Sequence, residues 1–265
     1  MLTNIEFKAF MQKHETEILK NDWESVYNDL SWYLDVSNLT DFLLNKAHIN
    51  PLFYMTSVPR NFARELDITS ITIPSSVTSI GNYAFSDCSR LTSITLPSSV
   101  TKIGEWAFSD CSNLTSSAIP NSVTNISYGA FSGCSRLTSI TLPSSVTRIW
   151  SNAFLNCSSL TSIAIPDSVT KIEYSAFYNC SSLTSITIPD NVESIDDYAF
   201  ENCTGLTSIT IPNSVKRIRY HVFTGCDNLK EIKYIGNQQQ WDKLLSTNKN
   251  FANWIRESRV KVIFI

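Results

Sequence analysis

One interval governs this chain. Cysteine falls at Cys88, Cys111, Cys134, Cys157, Cys180, Cys203 and Cys226, always 23 residues apart. Phenylalanine keeps the same register from Phe85 through Phe108, Phe131, Phe154, Phe177 and Phe200 to Phe223, and proline does so from Pro74 to Pro212. Three residue types locked to one interval imply a solenoid, in which each unit stacks only on its neighbours.

The unit at residues 91–113 shows what each coil requires. Leu91-x-x-Ile94-x-Leu96 has the spacing of a short strand whose Leu and Ile point inward while Ser93 and Thr95 face solvent. Pro97 cannot donate a ladder hydrogen bond and ends that strand. Val100 and Ile103 supply further inward anchors. Glu105 to Asp110 suits one short helical turn with Ala107 and Phe108 inward, and Cys111 closes the coil before Leu114. Parallel strands stack about 4.7–4.9 Å apart, so eight of them would form a sheet roughly 33 Å wide.

The pattern L-x-x-I-x-I-P-x-x-V-x-x-I-G-x-x-A-F-x-x-C resembles the BspA-like leucine-rich repeat family. Residues 68–228 read as seven such units, and Leu229-Lys-Glu-Ile232-Lys-Tyr234 as an eighth strand without the proline. The resemblance implies an α/β repeat protein: a leucine-rich-repeat solenoid with a parallel β-sheet on its concave face. Ser117 departs, standing where neighbouring units carry Ile94 and Ile140. A locally adjusted strand, a satisfied hydroxyl and a ligand site are the readings open there.

Both ends need caps, because an end coil has no outer neighbour. Residues 1–67 break the interval and suit a helical N-terminal capping module. Thr3 to Glu6 opens a capping box, Asp22 and Ser37 are candidate caps for two more helices, and Pro51 and Pro59 suit the first turns of two short ones. The stretch Ile49-Asn50-Pro51-Leu52-Phe53-Tyr54-Met55 resembles segments that precede such repeats in intestinal bacteria and their phages. Residues 229–265 carry Tyr234, Gly236, Gln240 and Trp241, which resemble the Y-x-G-x-x-x-Q-W ending of many BspA-like arrays. A mixed C-terminal cap is expected there, with a helix around Trp241 to Leu245 and a last strand from Val260 to Ile265.

Composition narrows the function. Of the 265 residues 43% are hydrophobic, and the net charge is −3, which excludes a disordered chain. A pI near 5.6 argues against nucleic acid as a partner. No apolar run approaches a membrane span. The N-terminus lacks the basic start and apolar stretch of a signal peptide, so a cytoplasmic location is expected, or the cell surface if another export route operates. Charge is uneven: residues 229–265 hold seven basic and three acidic side chains.

Catalytic and metal motifs are missing. No short Cys-x2-4-Cys pair suggests zinc, and seven thiols pointing the same way suit small buried hydrophobes better than disulfides. His14, His48 and His221 lack metal or triad spacing, and no nucleophile elbow or phosphate loop occurs. Serine recurs with the unit, which reads as surface filling. Glu193, Asp196, Asp197 and Glu201 cluster, as a cation site or as a solvated acidic edge. No enzyme activity and no cofactor are expected.

Two faces remain for a partner. The strand face is a nearly uniform hydroxyl surface that includes Ser93, Thr95, Ser139, Thr141, Ser185 and Thr187. It lacks the aromatic and Arg anchors of strong interfaces. The turn after Ile103 and its equivalents carries one large aromatic per unit: Tyr83, Trp106, Tyr128, Trp150, Tyr174, Tyr198 and Tyr220. These either bind a partner or lean on the next coil, with Trp106 and Trp150 the best single candidates. The expected function is a monomeric, non-catalytic protein-interaction scaffold. A surface adhesin for host protein or glycan, implied by exported members of the resembled family, and a phage-encoded factor binding a host component are the alternatives.

Overall fold

The computed structural model describes Leu52 and residues 55–265. Each coil contributes two short extended segments, so the strands fall into two parallel rows. In chain order they are β1 (Ser57–Val58), β2 (Ser79–Ile80), β3 (Lys102–Ile103), β4 (Ser116–Ala118), β5 (Asn125–Ile126), β6 (Ser139–Thr141) and β7 (Arg148–Ile149). There follow β8 (Lys171–Ile172), β9 (Ser185–Thr187), β10 (Ser194–Ile195), β11 (Ser208–Pro212), β12 (Arg217–Ile218) and β13 (Glu231–Ile235). Two helices, α1 (Gln238–Thr247) and α2 (Lys249–Glu257), and the strand β14 (Lys261–Phe264) complete the chain.

The first row is the expected Leu-x-x-Ile-x-Leu face. It holds bridges from Thr72 to Thr95 and from Ser93 to Ser116, then β4 with β6, and finally β9, β11, β13 and β14 in order. It is not one continuous sheet, since residues 161–166 adopt no strand. The second row, unforeseen as strand, runs through β1, β2 and β3 and again through β5, β7, β8, β10 and β12. The cause is the proline turn. The carbonyl of Pro97 accepts from Val100 N–H at 3.0 Å, which reverses the chain and lets Lys102–Ile103 extend again.

The stretch read as a helical turn is a pair of turns with two left-handed residues per coil. The first slot holds Tyr83, Trp106, Gly129, Asn152, Ser175, Tyr198 or His221, and the second Asp87, Asp110, Gly133, Asn156, Asn179, Asn202 or Gly225, all at φ between 51° and 73°. Alternate N–H groups point along the solenoid axis instead of back into a helix: Tyr83, Phe85 and Asp87 donate to the carbonyls of Glu105, Ala107 and Ser109. From Asp87 onward the second slot contains only Asp, Asn and Gly, the residues that tolerate this conformation best, while Glu65 holds it in the coil before.

Inside, the files of identical residues stack. Phe85, Phe108, Phe131, Phe154, Phe177 and Phe200 are fully buried, with consecutive ring centroids 5.3–5.8 Å apart and near-parallel planes. From Cys111 to Cys226 each thiol donates to the Phe carbonyl one coil earlier, as Cys157 does to Phe131 at 3.1 Å, while Cys88 donates to the Ala63 carbonyl. Burial pushes these thiols up, to about 12 for Cys88, Cys180 and Cys226. Serine is not surface filling throughout. Ser99, Ser122, Ser145, Ser168 and Ser214 each donate to the Val carbonyl of the preceding coil. Thr92, Thr115, Thr138, Thr161, Thr184 and Thr207 form a similar outer file on Thr carbonyls. Ser117 keeps its strand position opposite Ile140, and its buried hydroxyl has no partner, so it is neither an adjusted strand nor a satisfied group.

At the N-terminal side the stacking starts earlier than residue 68. Asn61, Ala63 and Glu65 donate to the coil above, and Phe62 packs edge-on against Phe85 at 6.0 Å. The short helix expected from Pro59 is therefore a turn of the solenoid. The helices expected from Thr3, Asp22, Ser37 and Pro51 lie outside the described residues.

At the other end Asn237 and Gln240 form a capping box that starts α1. A second helix, α2, was not foreseen. Its Phe251 and Trp254 cover the last Phe of the file, Phe223, at 6.0 and 5.3 Å. Asn248, between the helices, closes the edge of β12: its Oδ1 accepts from Ile218 N–H at 2.9 Å, and its Nδ2 donates to the Lys216 carbonyl at 3.1 Å. β14 closes the first row by pairing with β13.

Candidate functional site

The aromatic edge divides by register. Tyr83, Trp106 and Tyr198 occupy the left-handed slot, whereas Tyr128, Trp150, Tyr174 and Tyr220 precede it by one or two residues. The consequence is two different fates. Trp106 lies across Gly129 of the next coil, where any Cβ would overlap the indole. It is a half-buried cover for its neighbour. Tyr83 is likewise flanked, with Arg60 and Arg64 5.5 and 5.9 Å from its ring.

Of the aromatics ahead of the slot the three tyrosines stand outward, and Trp150 is half-buried. Tyr128, Tyr174 and Tyr220 are 38%, 46% and 52% exposed, the largest exposures among aromatic side chains of the coils. Tyr128 and Trp150 form a tilted pair with centroids 4.9 Å apart, and the Arg148 guanidinium sits 4.9 Å from the Trp150 ring. This pair borders a groove of about 440 Å³ whose polar rim includes Lys102, Glu105, Asn125 and Ser127. A second cluster follows, Tyr174 against Tyr198 at 5.5 Å and Tyr198 stacked on His221 at 5.4 Å. Aromatic rings, one guanidinium and opposite charges around a groove are the ingredients of an interface hot spot.

The hydroxyl face has no such anchor. Ser93, Thr95, Ser139, Thr141, Ser185 and Thr187 are exposed, in rows between buried Ile and Leu side chains. Two acids of the cluster, Asp196 and Asp197, are engaged by cations of this chain. Asp196 lies 2.7 Å from Lys171 and 3.6 Å from Arg219, and Asp197 is 3.3 Å from Arg219 and accepts from Tyr220 N–H. Among the described residues no cluster of His, Cys, Asp or Glu is arranged to hold a metal ion. None of their helices is long and apolar enough to cross a membrane.

Stacked coils with an inward Leu-Ile frame, a Phe file and a separate end cap define a leucine-rich-repeat solenoid. The sequence matches the BspA type leucine rich repeat region in six copies, over residues 56–184 and 148–263. The chain belongs to that family. Among solved structures, a leucine rich cell surface protein of Faecalibacterium prausnitzii A2-165 is 32% identical with a TM-score of 0.53, over 72% of this chain and 60% of that one. A leucine-rich repeat protein of Bacteroides ovatus is 27% identical over 64% of each chain, with a TM-score of 0.40. The leucine rich repeat protein of T. pallidum is 26% identical over 77% of this chain and 88% of that one, with a TM-score of 0.47. The chain thus spans less than two thirds of the first two relatives. No curated protein matches it.

Proposed function

We propose that this solenoid is a non-catalytic binding module that holds a protein partner on its aromatic edge, centred on Tyr128 and Trp150. The observation that carries this reading is the Tyr128–Trp150 pair with Arg148 beside it, bordering a groove on an otherwise hydroxyl-coated coil stack. Tyr174 and Tyr220 extend the same edge. The test is site-specific photo-crosslinking from position 128 in the source cell. One partner should be captured repeatedly, lost with Trp150→Ala and retained with Thr95→Ala and Thr141→Ala. Loss only with the threonine variants would move the site to the strand face.

A second reading is an adhesin at the cell surface, taking a host protein or a glycan. It is supported by the 32% identity to the cell surface protein of F. prausnitzii. Treating intact source cells with protease separates the locations: a surface chain is degraded while cytoplasmic markers survive.

A further inference from the structure

A second pocket, of about 550 Å³, lies between the turn that enters β12 and helix α1. Its charged lining is cationic. Lys216 and Arg217 come from the turn and Lys243 from α1. The Lys216 ammonium donates to the Asn213 carbonyl, and none of the three cations lies in an ion pair among the described residues. Glu193, beside Lys216 in the preceding coil, and Asp242, next to Lys243, are the neighbouring acids. Asp242 accepts from Gln238 instead. Asn248 fixes the geometry by tying Lys216 and Ile218 to the helix pair.

A tyrosine from β13 also reaches this pocket. Tyr234 is 1% exposed, packs on Trp241 at 5.0 Å, and lines this pocket. Its hydroxyl makes no hydrogen bond among the described residues and is not sealed from the pocket, so it is open to a ligand there. Burial pushes the phenol up, so it stays a neutral donor at physiological pH. The Gln240 carbonyl is used by the capping box, which leaves its amide nitrogen free to donate.

From this convergence we infer an oxyanion site, in which Arg217, Lys216 and Lys243 hold a phosphate or sulfate group and the Tyr234 hydroxyl donates to it. Guanidinium and ammonium groups make short, charge-assisted bonds to such oxygens. The excess of basic residues over residues 229–265 favours the approach of an anion. The site is separate from the Tyr128–Trp150 groove and does not depend on it.

The test is a calorimetric titration of the full chain with inorganic phosphate and with inorganic sulfate, at ionic strength held constant with chloride. A saturable isotherm is expected. In the double variant Arg217→Gln with Lys243→Gln, affinity should fall about tenfold or more, with unchanged thermal melting. Tyr234→Phe, which removes only the hydroxyl, should weaken binding several-fold. A sulfated disaccharide and glycerol phosphate form the second arm. Tighter binding of either ester than of the free ion identifies an ester-bearing ligand, and the reverse identifies the free ion. A signal that only follows ionic strength, or that survives the double variant, overturns the site.

Discussion

Trp106 lies across the backbone of Gly129, one coil on, with no room between them for a methyl group. Gly129 also sits at φ +57°, where a side chain is strained. Gly129→Ala should therefore lose about 1–3 kcal/mol of stability in urea unfolding. In a Trp106→Ala background the same change should cost less, because only the backbone strain remains. An equal cost in both backgrounds would show that the indole rests elsewhere.

Phe154 and Trp150 lie four residues apart and should behave differently. Phe154 is fully buried and stacked between Phe131 at 5.8 Å and Phe177 at 5.5 Å. Phe154→Ala should cost about 3–5 kcal/mol. Trp150→Ala should cost clearly less, since the ring is half-buried on the edge. Denaturant midpoints decide it, and a reversed order would overturn the inward and outward assignment.

Among the described residues Ser117 is the one inward-facing strand position with a fully buried, unpartnered hydroxyl. Ser117→Ile restores the side chain its neighbours carry at Ile94 and Ile140 and removes that hydroxyl. A gain of about 1–3 kcal/mol is expected. A lower melting temperature would mean that the coil has closed around the smaller side chain.

The thiol file makes alkaline stability diagnostic. An unfolded thiol ionises near 9.0, whereas Cys180 in place does so only near 12. Between those values the unfolded chain has lost protons that the folded chain keeps, so stability falls as pH rises through that window. Below it the thiols contribute no pH dependence. Cys180→Ala should show a shallower alkaline decline than the parent in urea midpoints. Identical declines would remove the thiols from the account. Iodoacetamide should label the native chain negligibly and label all seven thiols once it is unfolded.

Much of this was legible from register alone. The Cys, Phe and Pro files appear in the sequence at one interval, and burial follows because identical residues must meet identical residues in a stack. The second strand row was missed because Lys102–Ile103 is only two residues long, too short for alternation to register. The second left-handed slot was visible as the invariable Asp, Asn or Gly one residue before each repeat cysteine, a turn signal hidden by the expectation of a helix. For the aromatic edge, spacing placed the side chains but not their fates. A shift of one residue sends Trp106 onto Gly129 and leaves Tyr128 exposed, and only the conformation of the slot distinguishes them. The pocket at Tyr234 joins residues from the last turn and from α1, so no local pattern announces it.

The bonds between coils have a further consequence. Ser122 reaches back 22 residues, Thr115 reaches 23 and Cys157 reaches 26, and equivalent bonds recur in most coils. Excising residues 114–136 would bring Leu137 directly after Asn113, and ring, thiol and hydroxyl would each meet an equivalent neighbour. Array length is therefore a variable that recombination between near-identical units can change in whole steps. The chain can gain or shed reach without inventing a new interior, while its edge aromatics diverge one unit at a time.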